Sequence, residues 1–105
     1  MAVRYYKVAT IQELRPGRMK LVAVNHQQLV LCNVGGSFYA IENMCSHDGG
    51  PLGEGNLQGT RIECPRHGAK FDVTTGEALI FPALAPVTTF AVRVDGDSIE
   101  VGIEE

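Results

Sequence analysis

Apolar and polar positions alternate along most of this chain with the two-residue period of a half-buried β-strand, and no helical stripe lasts beyond a turn or two. The C-terminal stretch is the clearest: Phe90, Val92 and Val94 alternate with Ala91, Arg93 and Asp95, and after Asp95-Gly96-Asp97 the residues Ile99, Val101 and Ile103 alternate with Glu100 and Gly102. That pattern predicts a hairpin with one buried face. Near the N-terminus, Arg4 to Ala9 predicts a first strand, Thr10-Ile11-Gln12-Glu13 has the form of a capping box on one helical turn, and Pro16-Gly17 ends it. Arg18 to Val24 and Gln28 to Val34 are β-rich runs around polar Asn25-His26-Gln27, and Gly35-Gly36 suits a tight turn into Ser37 to Glu42. This half of the chain predicts an antiparallel meander.

The alternation fails between Asn43 and Gly59, where five glycines and one proline occur and β-branched residues are few. A loop that long in a small domain is expected to carry function. Strand character returns at Thr60 to Glu63 and again at Lys70 to Val73, so the residues between them cap a hairpin-like excursion, and Asp72 to Glu77 turns the chain once more. Phe81-Pro82-Ala83-Leu84-Ala85-Pro86 is too proline-rich for a central strand and too apolar for an ordinary solvated loop, which predicts a covering role. The expected fold is all-β: a small antiparallel sandwich or partly open barrel with two functional loops at one end.

Composition narrows the function. At 105 residues the chain is read as one domain, 1–105, able to bury a core without disulfides. A formal charge of -3 leaves no basic footprint for nucleic acid. Met1 to Thr10 has no apolar run of signal-peptide or membrane-spanning length, so the expected location is the cytoplasm, away from membranes. Cys32 shares a strand face with Val30 and Val34 and is expected in the core, His26 in a solvated turn, and Asp48 and Glu54 as solubilising charges.

The chemistry sits in two short runs, Cys45-Ser46-His47 and Cys64-Pro65-Arg66-His67, sixteen residues apart. Two thiolates and two imidazoles suit zinc or an iron–sulfur centre. Structural zinc sites usually draw like ligands in pairs, whereas each run here mixes one Cys with one His, which favours a two-iron centre clamped between two loops. A structural zinc-binding module stays open as an alternative. Gly49, Gly50 and Gly68 beside the ligands let backbone pack close to a bound group.

The strings CSHDGGPLGEG and IECPRHGAKFD resemble the Rieske family, and the similarity continues through the proline segment to the terminal hairpin. The resemblance implies a [2Fe–2S] cluster with Cys45 and Cys64 on the inner iron, His47 and His67 on the outer, and Pro82 in a shielding loop. Membrane-bound respiratory members carry a disulfide and two hydroxyl donors where this chain has Gly50, Arg66, Ala69 and Phe71. The expected potential therefore lies at the low end of about −150 to +300 mV. A Rieske oxygenase would need a second iron held by two more histidines and a carboxylate, and the chain has three histidines in all. No Gly-rich dinucleotide fingerprint is present either. The resemblance thus implies a soluble one-electron carrier between a flavin-dependent reductase and a terminal aromatic-ring oxygenase, close to the Rieske-type ferredoxins. Its partners would dock at the His47 and His67 edge ringed by Pro51, Leu52, Pro82 and Leu84. Within the same family, the small subunit of an assimilatory nitrite reductase is the alternative.

Overall fold

A computed structural model describes residues 2–44, 50–65, 68–80 and 85–105. Ten strands in two antiparallel sheets make up the regular structure among them. The larger, six-stranded sheet has the order β1-β10-β9-β4-β3-β2, formed by β1 (Val3–Thr10), β2 (Met19–Val24), β3 (Gln27–Val34), β4 (Ser37–Glu42), β9 (Thr89–Asp95) and β10 (Ser98–Glu104). The smaller is a four-stranded meander of β5 (Asn56–Gln58), β6 (Arg61–Glu63), β7 (Lys70–Asp72) and β8 (Ala78–Ile80). The expected meander, the C-terminal hairpin and the all-β class are all present.

The turns explain why the strands fall where they do. Asn25 and His26 both take positive φ, 49° and 66°, as a two-residue turn between right-twisted strands requires, and the β2–β3 register runs from Val24 opposite Gln27 to Met19 opposite Cys32. Gly35 and Gly36 do the same for β3–β4. The 3₁₀ turn Ile11–Glu13, one of two among the described residues, carries the capping box that its sequence predicts.

The large sheet curls so that its outer strands β1 and β2 approach each other, and its concave face buries Leu29, Leu31, Ala40, Ile99, Val101 and Ile103. This is the partly open barrel. A second core lies on the opposite face of β3 and β4, where Val30, Cys32 and Ile41 pack against Leu52, Ile62, Phe71 and Val73 of the smaller sheet and its approaches. β3 is therefore buried on both faces from Leu29 to Asn33, which accounts for an apolar run with no polar alternation.

Candidate metal centre

Cys64 follows directly on β6, and its backbone is tied to Gly68 and Ala69 just ahead of β7. The Cys64 N–H donates to the Ala69 carbonyl at 2.7 Å, and the Gly68 N–H donates to the Cys64 carbonyl at 3.2 Å. Gly68 takes φ +74°, a backbone state that side chains strain to adopt, so glycine is required there by the turn itself. The Cys64 side chain is buried, 1% exposed, among apolar neighbours and outside any disulfide. A thiol held this way suits a metal–sulfur group shielded from water.

Three candidate segments are joined through one apolar cluster. It contains Leu52 from the end of the first ligand loop, Cys64, Ala69 and Phe71 from the second, and Val87 from just beyond the proline segment. Ala69 and Phe71 are fully buried, so the two positions without hydroxyls lie in the core beside Cys64. Gly50 is buried and Pro51 half-buried. Cys45, His47, Gly49, His67, Pro82 and Leu84 lie outside the described residues.

One expectation is corrected. Leu52 was placed on the exposed docking rim, but its side chain is wholly buried in that cluster. Leu52 is the first residue of a 3₁₀ turn, Leu52–Glu54, and its apolar side chain is drawn into the nearest core rather than held in water. It anchors this end of the loop in the core. Cys32 behaves as expected, with burial pushing its thiol up to about 12.

Glu42, the last residue of β4, and Asn43 just after it hold the neighbouring loops, a role their sequence alone does not show. The Glu42 N–H donates to the Thr88 carbonyl and the Glu42 carboxylate accepts from the Thr88 N–H, both at 2.9 Å, which ties the chain after the proline segment to β4. The Asn43 N–H donates to the Gln28 carbonyl at 2.9 Å, and Asn43 Oδ1 accepts from the Gly53 N–H at 2.8 Å. An Asx residue at a strand's end, entering a loop, was the available signal.

Over residues 4–91 the chain matches the Rieske [2Fe-2S] domain family. It belongs to that family. The cofactor of a Rieske domain is one [2Fe–2S] cluster. This Rieske domain is 40% identical over 98 residues to the ferredoxin component of biphenyl 2,3-dioxygenase from Rhodococcus jostii (strain RHA1), spanning 93% of this chain and 92% of that one. Among solved structures it resembles the ferredoxin of carbazole 1,9a-dioxygenase from Nocardioides aromaticivorans IC177, with 37% identity, a TM-score of 0.89 and coverage of 92% of this chain and 95% of that chain. A similar match is found in a complex of reduced oxygenase and oxidised ferredoxin of carbazole 1,9a-dioxygenase, at 37% identity, TM-score 0.88, and 92% and 91% coverage. These relatives are electron-transfer components of multicomponent dioxygenases. No helix among the described residues is long and apolar enough to cross a membrane.

Proposed function

We propose that this Rieske domain is a one-electron carrier of low potential that takes electrons from a flavin-dependent reductase and delivers them to a terminal ring-hydroxylating oxygenase in the cytoplasm. The observation that carries the reading is the near end-to-end similarity to a ferredoxin component, 92% of that relative's own length. Cys45 and Cys64 would hold one iron and His47 and His67 the other, and the cluster when bound supplies reversible one-electron chemistry. The chain's own contribution is to close water off from the Cys64 side with Leu52, Ala69, Phe71 and Val87, all buried. By the family resemblance, Gly49, Gly50 and Gly68 would leave room for backbone to pack against the cluster and Pro82 would belong to a shielding loop.

Low potential follows from what surrounds the sulfurs. Hydrogen bonds from hydroxyls stabilise the extra charge of a reduced cluster, and positions 69 and 71 offer a methyl and a phenyl instead. Partners dock at the edge formed by His47 and His67 with Pro51 and Leu84, a small and short-lived contact of the kind redox encounters use.

The test is a reconstituted chain: a flavin-dependent reductase, this protein and a ring-hydroxylating oxygenase. Product formation that depends on this protein, together with rapid oxidation of the pre-reduced protein on mixing with the oxygenase, is the expected result. A colourless protein with stoichiometric zinc and no iron or sulfide would end the electron-transfer reading.

A further inference from the structure

We infer that Asn43 is a positioning residue for the cluster, acting as a clasp that fixes both ends of the loop carrying Cys45 and His47. The inference rests on reading those two residues, with Cys64 and His67, as the ligands. Asn43 is itself held to the scaffold, since its N–H donates to the Gln28 carbonyl of β3 at 2.9 Å. Its side chain then reaches ten residues forward, and Oδ1 accepts the Gly53 N–H at 2.8 Å. The chain between them therefore begins and ends on one residue, held at one end by the Asn43 backbone and at the other by its side chain.

The receiving end is built for this contact. A Cβ on Gly53 would lie 2.4 Å from Leu21 Cδ2 and 3.2 Å from Asn43 Oδ1, so a larger residue would have to turn the exposed Leu21 side chain aside and crowd the Asn43 oxygen, and glycine does neither. On either side the chain is fixed again: Leu52 is fully buried, and the Gly55 N–H donates to the Leu52 carbonyl at 3.0 Å. Ligands on a loop are only as well placed as its ends. An acceptor that holds the two ends in register sets the positions from which Cys45 and His47 start, much as hydrogen-bonded partners behind metal ligands do elsewhere.

The experiment uses the cluster-loaded protein and three variants. Asn43→Ala removes the acceptor, Asn43→Asp keeps an oxygen in the same place, and Asn33→Ala removes a buried amide that serves only the fold, bonding the Leu14 carbonyl and the Gly36 N–H. The rate of loss of visible absorbance to an iron chelator is read beside the EPR spectrum of the reduced protein and the thermal midpoint. Asn43→Ala should lose its cluster roughly tenfold faster or more, the low end for outer partners of metal ligands, with altered g-values. Asn43→Asp should stay within about threefold of the parent, and Asn33→Ala should lower the midpoint without changing the EPR spectrum.

An unchanged rate in Asn43→Ala overturns the inference, as does an Asn43→Asp protein that loses its cluster as fast as Asn43→Ala. It also falls if Asn33→Ala speeds loss equally at a similar drop in midpoint, because general destabilisation then explains everything. A parent protein without iron and sulfide would instead overturn the ligand reading itself, and the clasp with it.

Discussion

The Glu13 carboxylate accepts from the Thr10 N–H at 2.9 Å and its hydroxyl at 3.0 Å, and pairs with Lys20 of β2. The Lys20 bond, then the two from Thr10, hold this carboxyl well below the ordinary 4.5, at about 2. Because the folded value is depressed, the stabilisation is complete above about pH 4.5 and is lost as pH falls towards 2. Glu13→Gln should thus be less stable than the parent at neutral pH, with the gap closing in acid. Paired thermal melts through that window would check it, and a gap independent of pH would count against the pairing. The ligand residues give a second prediction at this scale. His67→Cys replaces a neutral imidazole by an anionic thiolate, so the potential should move to a more negative value in direct voltammetry if the cluster assembles. An unchanged potential would remove His67 from the ligand set.

Among the elements, the small sheet depends on close backbone approach. A Cβ on Gly55 would sit 1.8 Å from the Glu63 carbonyl oxygen, so Gly55→Ala has to push the start of β5 away from β6. The expected cost is about 1–3 kcal/mol, the range for overpacking, readable by denaturant melts. The large sheet was legible in the sequence because its strands are six to eight residues long and bounded by Pro-Gly, Asn-His, Gly-Gly and Asp-Gly turns. β5 and β8 are not legible because β5 is embedded in a glycine-rich stretch and β8 runs straight into the proline segment, which leaves neither the alternation that marks strands. The ligand runs stand out in the sequence by residue type and spacing, and of their four expected ligands only Cys64 is among the described residues. Leu52 was misplaced because its neighbours Gly50, Pro51 and Gly53 read as loop, and only the second core shows where an apolar residue there must go.

Taken as a whole, the molecule has two cores that share the strands β3 and β4. Leu31 faces the barrel and Ile62 faces the site, both fully buried, and truncating either to Ala should cost about 2–5 kcal/mol. Because Val30 and Cys32 alternate with Leu29 and Leu31 on one strand, loss of either core removes half the support of β3. Each variant should consequently unfold in a single transition, seen as coincident melts in far-UV circular dichroism and cluster absorbance. Separate transitions would mean that the small sheet melts alone.

The double burial of β3 has a cost that falls outside the native state. Gln27–Val34 carries no charge and no proline, and its β-branched and aliphatic run is the kind of segment that pairs with copies of itself when unpaired. Such a strand is safe only while its neighbours arrive first. Here they are the nearest possible in sequence, β2 through Asn25-His26 and β4 through Gly35-Gly36, and hairpins so local close in about 1–10 μs. The two tight turns on either side of β3 thus double as protection against aggregation during synthesis, shielding both edges of the strand before β9 and β10, which complete the sheet beyond β4, have been made.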